Sequence, residues 1–388
     1  MSGFFPGPGS CLVDPLHAIT IAAVAASLAA LSTPLVIRFA HWVGAVDRPN
    51  ERKVSTRDAM PLLGGLAVAV GCTGGLVVAA QVVEDPGLSR SLIGFCAGAL
   101  VLVLAGAWDD RFEMRPVVKL IFQILAAAIV VEAGYRVDLF SNFMTGETIA
   151  VPLWIMWPVS IIWIVGVTNA MNLIDGLDGL SSGVGAIIAG TLTVICWQGG
   201  QWGGVVIGLA LFGALIGYLP FNFPPARIFL GDTGSLLIGF GLSVLALEGY
   251  RKTALLAFIV PLLALAVPLL DTALSILRRL RSGKGVFSAD RLHMHHRLLH
   301  REGSHRSAVL MLYFLTTCFC MIALSFSRIE GWVSFVYLAA VIGVTYRLLR
   351  NIDAFSLYIE DVPFREKVST GESTEEGAST RGDSPPLF

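Results

Sequence analysis

Eleven apolar runs follow one another along this 388-residue chain. Most are close to the length of about 20 residues that a helix needs to cross a bilayer's hydrocarbon core. Only 14% of the residues are charged, against roughly a quarter in soluble domains. The sequence therefore predicts an all-α polytopic integral membrane protein with about eleven transmembrane helices. The expected spans are 16–38, 62–83, 91–107, 117–134, 150–168, 180–198, 204–221, 233–248, 254–277, 308–327 and 331–349.

The orientation follows from the 27 Lys and Arg residues, sorted by the side on which each loop falls. The loops on the side of the membrane opposite the N-terminus, together with the C-terminal tail, hold 22 of them. The positive-inside rule places this rich side in the cytoplasm and the N-terminus outside. We expect a transmembrane catalytic domain over residues 1–357, with a large cytoplasmic loop at about 278–307. Residues 358–388 have the polar composition of a disordered cytoplasmic tail.

The stretch GVTNAMNLIDGLDGLSSG places polar side chains at three-residue spacing: Asn169, Asn172, Asp175 and Asp178. This spacing keeps them on one broad helical face or within a 3₁₀-like turn. Aligned hard oxygens suit Mg²⁺, which binds through one or two carboxylates and completes its shell with water and phosphates. A capping role explains one of these residues more easily than all four.

Two further acidic motifs fall on the same cytoplasmic side. Asp109 and Asp110 stand at the end of the third span, where an unpaired carboxylate is costly, and Lys119 follows in the next helix. A solvated acid pair beside a basic residue is the simpler interpretation. Asp232 lies in a glycine-flanked turn that opens a helix. It is either a helix cap or part of a phosphate site, and both roles are compatible.

Basic residues in two other cytoplasmic loops suit an anionic substrate. Arg52 and Lys53 lie between a Pro-Asn turn and the start of a helix, although topology alone also favours cations there. In the last large loop, Arg291 precedes three histidines, His293, His295 and His296. A transition-metal site is the alternative, but nearby thiolates are missing from the sequence and guanidinium groups repel a cation. We favour diphosphate binding.

Together these motifs indicate Mg²⁺-assisted phosphoryl transfer between one lipid and one soluble substrate. The lipid bilayer is the expected surrounding, and no nucleic acid partner is expected. A secondary transporter would carry its ionisable groups near mid-membrane, often within repeats, and neither pattern is found here. A catalytically silent membrane scaffold stays open as the non-enzyme alternative.

Five ordered motifs, DRPNERK, GAWDDRFEMRPVVKLIFQ, TNAMNLIDGLDGLSSG, ARIFLGDTGSLLIGF and DRLHMHHRLL, resemble those of the polyprenyl-phosphate N-acetylhexosamine-1-phosphate transferases. The resemblance covers roughly residues 16–327. It implies transfer of a sugar 1-phosphate from a UDP-sugar to undecaprenyl phosphate, with release of UMP and use of Mg²⁺ or Mn²⁺. The implied location is the cytoplasmic face of the bacterial inner membrane.

The histidine spacing resembles the branch that uses UDP-N-acetylglucosamine. The branch that uses UDP-N-acetylmuramoyl-pentapeptide carries three consecutive histidines instead. Another UDP-N-acetylhexosamine, or that pentapeptide donor, remains the alternative within the same reaction. The sequence leaves open which cell-wall, lipopolysaccharide or other polysaccharide pathway begins with this step. It also leaves the oligomeric state open, a homodimer included.

The resemblance implies roles for individual positions of this chain. Asp232 and Asn172 would lie at the metal, with Asp175 nearby. Asp109 or Asp110 would contact the lipid phosphate, with either of them as a base. These are the catalytic and metal-binding expectations.

The remaining implied contacts are with substrate. Lys53 and Lys119 would bind phosphates, Asp178 would lie near the nucleotide, and the histidine loop would lie near the diphosphate and sugar. Asn169 is a further expected substrate-binding residue. One departure from the family pattern is Ser55, which stands where a histidine usually follows the Arg-Lys pair. The role of that histidine is therefore replaced, dispensable or lost here.

Overall fold

The computed structural model describes residues 13–47, 60–82, 86–137, 139–141, 148–250, 259–281, 293–294, 297–299, 304–326 and 333–351. Long helices dominate this part of the chain. In order they are α1 (Pro15–Val43), α2 (Gly64–Val82), α3 (Pro86–Phe112), α4 (Pro116–Glu132), α5 (Leu153–Ile174), α6 (Leu180–Gln198), α7 (Trp202–Asn222), α8 (Gly231–Tyr250), α9 (Ile259–Ala264), α10 (Ala266–Arg281), α11 (His305–Phe326) and α12 (Val333–Asn351).

Among the described residues, seven helices are long and apolar enough to cross a membrane: α1, α2, α3 from Arg90 onward, α5, α6, α7 and α11. Large apolar side chains lie exposed on outer faces, including Leu31, Ile93 and Ile162. Apolar surface of this kind is stable in lipid and costly in water. The expectation of an all-α, multi-pass membrane protein is confirmed.

The ninth expected span differs from its prediction as a single helix over 254–277. Residues 254–258 lie outside the described part of the chain, and the rest divides at Leu265 into α9 and α10. Pro268 accounts for the division, because a proline ring collides with the carbonyl four residues earlier, here that of Ala264. The second segment, α10, then continues to Arg281, beyond the expected end.

The centre of the bundle is α8, which packs against α2, α3, α5, α6 and α7 and is buried along most of its length. Small residues allow close helix contacts in the same region, as is common in membrane bundles. A Cβ added at Gly213 or Gly217 of α7 would lie within 2.3 Å of a backbone carbonyl oxygen of α1. This packing holds α7 against α1.

Two short antiparallel hairpins complete the described fold. Strand β1 (Val46–Asp47) pairs with β2 (Met60–Pro61), and β3 (Leu139–Ser141) pairs with β4 (Thr148–Ala150). The first hairpin closes the loop that holds Arg52, Lys53 and Ser55, and these three residues lie outside the described part of the chain. So does the expected tail, 358–388.

Candidate functional site

Four helix ends meet at one end of the bundle. They are the carboxyl ends of α3 and α5 and the amino ends of α4 and α8. Each brings a polar residue that the sequence singled out: Asp109 and Asp110 from α3, Lys119 from α4, Asn172 from α5 and Asp232 from α8. The structure therefore gathers residues from three separate motifs into one site.

The side chain of Lys119 lies between two carboxylates. Its ammonium group contacts one oxygen of Asp109 and one of Asp232. The other oxygen of Asp232 accepts a hydrogen bond from Asn172 Nδ2 at 2.5 Å, and the same nitrogen donates to Ser235 Oγ at 2.8 Å. The Asp232 side chain remains 27% exposed and that of Lys119 19%, so a ligand can reach both groups.

Asp110 has a different role from its neighbour. One of its oxygens accepts from the backbone nitrogen of Asp232 at 2.7 Å, and the other accepts from the backbone nitrogen and hydroxyl of Thr233 at 3.1 and 2.5 Å. Asp110 thus caps the amino end of α8, where amides lack helical partners and a negative charge is favourable. Asp109 instead contacts Lys119 and the backbone nitrogen of Met114. The adjacent acids are not interchangeable.

The four residues at three-residue spacing, expected on one broad helical face or within a 3₁₀-like turn, divide between the two: Asn169 and Asn172 lie on α5, and Asp175 and Asp178 lie in the turn that follows it. Asn169 turns toward α4, where it exchanges hydrogen bonds with the buried Gln123 at 2.6 and 3.3 Å. The helix ends at Ile174, and the chain then turns, with Gly179 at a φ of 72° that favours glycine. Beyond this end Asp178 accepts from the backbone nitrogen of Ala226 at 3.0 Å.

Asp175 lies directly after α5, facing the acids of the site. Burial, and then the negative charges of Asp232, Asp110 and Asp178, raise the pKa of the Asp175 carboxyl well above its usual range. Its ionised form is therefore held at a cost in free energy. Such a cost is common where a carboxylate serves a cation, a substrate or a proton transfer.

The histidine loop is described in part. His293 is buried, and its Nδ1 lies 3.0 Å from an oxygen of the buried Asp271 in α10. Arg291, His295 and His296 lie outside the described residues, so their expected contacts stay predictions.

Sequence reasoning did not single out Gln123 or Asp271, although each left a signal. Gln123 is an amide one turn beyond Lys119 in an otherwise apolar helix, and Asp271 is a carboxylate within an apolar run. Polar groups are rare at such positions without a partner or a function.

The arrangement has the donors that a magnesium ion requires. In the described residues no group of three or more His, Cys, Asp or Glu side chains forms a metal site. Mg²⁺ needs only one or two carboxylates, with water and phosphate oxygens as further ligands. Asp109 and Asp232 approach a single point that already holds a positive ammonium group. The side-chain amide of Asn172 presents its nitrogen to Asp232, and rotation of this amide by about 180° would present its oxygen to a cation instead. The residues therefore fit a divalent cation that shares this point with Lys119 or displaces it.

Comparison with known proteins identifies the family. The family model described as glycosyl transferase family 4 matches residues 92–250, which include Asp109, Asp110, Asp175, Asp178 and Asp232 but not Asp271. The chain is also 35% identical over 303 residues to the "Probable undecaprenyl-phosphate N-acetylglucosaminyl 1-phosphate transferase" of Bacillus subtilis, covering 78% of this chain and 83% of that protein. The chain belongs to glycosyl transferase family 4.

Other family 4 relatives have similar coverage. A "Decaprenyl-phosphate N-acetylglucosaminephosphotransferase" of Mycobacterium tuberculosis is 34% identical, over 77% of this chain and 80% of its own length. An "Undecaprenyl-phosphate alpha-N-acetylglucosaminyl 1-phosphate transferase" of Escherichia coli is 29% identical, over 71% and 74%. The family membership makes this chain a membrane-bound transferase, and it confirms the resemblance read from the five motifs.

Proposed function

We propose that this chain transfers N-acetylglucosamine 1-phosphate from UDP-N-acetylglucosamine to undecaprenyl phosphate and releases UMP, as the first membrane step of a cell-surface polysaccharide pathway. The observation that carries the proposal is the ammonium group of Lys119 between the carboxylates of Asp109 and Asp232. Phosphoryl transfer between two anions depends on such positioning and charge neutralisation. The names of the relatives support the choice of lipid and sugar.

The proposed site faces the cytoplasm of a bacterial inner membrane. The bias of 22 basic residues to one side supports this orientation, since positive loops are retained in the cytoplasm. A polyprenyl phosphate carries its phosphate at the membrane surface, and a UDP-sugar is soluble. A site at helix ends, rather than at mid-membrane, suits both substrates.

Asp232, with Asn172 and Asp109, would hold Mg²⁺, and Mn²⁺ would substitute for it. When bound, this ion supplies positive charge to the diphosphate and to the departing UMP. The chain itself supplies a second cation in Lys119, fixed by its contacts with both acids. This lysine offers a binding point to the lipid phosphate, which the carboxylates alone would repel.

The proposed reaction is a direct displacement. An oxygen of the lipid phosphate attacks the sugar-bearing phosphorus of the donor, and the bond from that phosphorus to the bridging oxygen breaks as UMP leaves. The second pKa of a phosphate monoester is about 6, so at neutral pH the nucleophile is already largely ionised. Asp109 then acts by orienting Lys119 and the nucleophile, while Asp110 holds the amino end of α8.

A two-step route through an aspartyl phosphate is the mechanistic alternative. The two routes differ when the lipid is omitted. Direct displacement releases no UMP without acceptor, whereas a covalent intermediate releases up to one UMP per protein molecule. The hydrogen bonds from Asp232 and Thr233 to Asp110 favour the direct route for that residue, because they stabilise its carboxylate as an acceptor and weaken it as a nucleophile.

The proposal is tested with purified protein, undecaprenyl phosphate, Mg²⁺ and one donor at a time. We expect UMP release with UDP-N-acetylglucosamine, together with a lipid product whose mass has increased by one N-acetylglucosamine phosphate. Release with UDP-N-acetylmuramoyl-pentapeptide or another UDP-N-acetylhexosamine alone would contradict the proposed donor. No release with any donor, from protein that is folded and binds Mg²⁺, would favour the scaffold.

The acceptor needs the same comparison. Mycobacterial relatives are named for decaprenyl phosphate and the others for undecaprenyl phosphate. Initial rates with the two lipids at matched concentrations would show which length is used more efficiently. We expect a higher kcat/KM with undecaprenyl phosphate, the lipid in the names of both the Bacillus and the Escherichia coli relatives.

A further inference from the structure

We propose that Asp271 is a positioning residue that fixes the histidine loop by holding His293. In this arrangement His293 is an anchor for the loop and not itself a substrate ligand. The inference rests on the proposed function, because it concerns how the loop binds the donor. It assigns Asp271 a role that the sequence did not indicate and gives His293 a different one.

The two oxygens of Asp271 both contact the loop. His293 Nδ1 lies 3.0 Å from Oδ2, and the backbone nitrogen of Met294 donates to Oδ1 at 2.7 Å. These contacts join positions 22 and 23 residues apart. They therefore hold His293 and Met294 against the middle of α10.

Burial shows that this contact is a fixed part of the fold. The side chains of Asp271 and His293 are only 2% and 7% exposed. A buried carboxylate is costly without hydrogen bonds, so both loop contacts stabilise the conformation in which they are made. An imidazole bound at Nδ1 and covered on nearly all its surface has a fixed ring orientation.

The backbone contact sets the conformation of the residues that follow. The backbone nitrogen of Arg297 donates to the carbonyl of His293 at 3.2 Å, which closes one helical turn. Asp271 accepts a hydrogen bond from the backbone nitrogen of Met294 at the start of this turn. Asp110 accepts one from the backbone nitrogen of Asp232 in the same way at the start of α8. Two carboxylates, one on α3 and one on α10, thus each hold a chain segment in place. A change at Asp271 therefore removes the contacts that fix His293 and Met294 within the histidine loop.

The kinetic test uses Asp271→Ala, His293→Ala and the double variant. Asp271→Ala is expected to raise the KM for UDP-N-acetylglucosamine by about tenfold or more, the usual effect of losing a residue that orients a ligand. The KM for undecaprenyl phosphate should change much less. The double variant should be no worse than Asp271→Ala, because both substitutions remove the same contact between Asp271 and His293. Multiplying effects in the double variant would overturn the inference.

Two conservative variants separate an anchor from a substrate ligand. The amide nitrogen of asparagine falls near the position of Nδ1, and that of glutamine near Nε2. His293→Asn should therefore retain the contact with Asp271 and most of the donor affinity, whereas His293→Gln should not. Better function in His293→Gln would show that His293 acts through Nε2 and would overturn the anchor role. These variants leave the buried carboxylate intact and carry the test if Asp271→Ala does not fold.

A matched control lies at the opposite end of the bundle. The backbone nitrogen of Val137 donates to Ser160 Oγ at 3.1 Å, also joining positions 23 residues apart in a buried setting. Ser160→Ala should lower the Tm without changing either KM. If wild-type protein releases no UMP, the proposed function fails. If wild-type protein is active and Asp271→Ala behaves like Ser160→Ala, only the positioning role fails.

Discussion

Lys119 in α4 forms an ion pair with Asp232 at the start of α8, 113 residues further along the chain. Asp109 of α3 contacts the same ammonium group, so one cation joins three helices at the site. A group in this position has two effects. It offsets repulsion between the acids, and it leaves a positive centre where a phosphate can approach.

Lys119→Met should lower the rate of UMP release by at least about a hundredfold, comparable to the loss of one charged or hydrogen-bonding group at a phosphoryl transfer site. Steady-state rates with both substrates varied will measure this. Arg115→Met is the matched control, because it removes an exposed cation one turn earlier in the sequence. Equal effects of the two substitutions would show that net charge, and not the position of Lys119, matters.

Gly106→Ala should separate α3 from α8. A Cβ at Gly106 would lie 2.5 Å from the Cα of Thr233, and backbone cannot move aside cheaply. The shift would stretch the bonds from Asp110 to the first turn of α8, so both Tm and activity should fall.

Gly166→Ala in α5 is the control for this substitution, since a Cβ there meets nothing within 4 Å. Alanine favours a helix by roughly 1 kcal/mol over glycine, so its Tm should stay level or rise. A Gly106→Ala protein with wild-type Tm and rate would contradict the close packing at the amino end of α8.

Gln123→Leu and Asn169→Leu should each destabilise the protein, because each leaves one amide without its partner at a cost of about 1–3 kcal/mol. The double leucine variant should recover much of the lost Tm. Activity then reports on Asn169 itself. A stable but inactive double variant would support the expected contact of Asn169 with substrate, and an active one would restrict the pair to helix packing.

Asp175→Asn should raise the Tm and lower the activity. The pKa of the Asp175 carboxyl is raised by burial and by Asp232, Asp110 and Asp178, so its ionised form is costly in the folded protein. Replacing the ionisable group with a neutral amide removes this cost and stabilises the fold, while a group expected to take part in catalysis is lost. Thermal melts in EDTA at about pH 8.5, with activity assays, will show both effects, since an ordinary carboxyl is ionised there. Glu132→Gln, exposed at the opposite end of α4, should change neither.

The sequence predicts this fold well because the bilayer limits the choice. Apolar runs of span length can only be helices, and charge bias orients them. The division at Leu265 was missed, because a single proline interrupts an apolar run without changing its hydropathy.

The location of the acids on one side of the membrane was also predictable, because every second loop of a multi-pass chain lies on the same side and the acidic motifs fall in those loops. Their partners were not. Whether Asp110 caps α8 or faces substrate depends on how closely α3 and α8 approach, and that depends on glycines far apart in the chain. In the same way Asn169 and Asp178 have the spacing of ligands, but Asn169 meets Gln123 of α4, and Asp178 lies beyond the end of α5 and meets Ala226.

The most direct test is the initial rate of UMP release from UDP-N-acetylglucosamine and undecaprenyl phosphate, measured against Mg²⁺ concentration for wild-type protein, Asp232→Ala and Asn172→Ala. We predict release by the wild type, its loss in EDTA, and little recovery of either variant at higher Mg²⁺. Wild-type release that persists in EDTA, or full recovery of Asp232→Ala at modestly higher Mg²⁺, would contradict an active site built on Asp232.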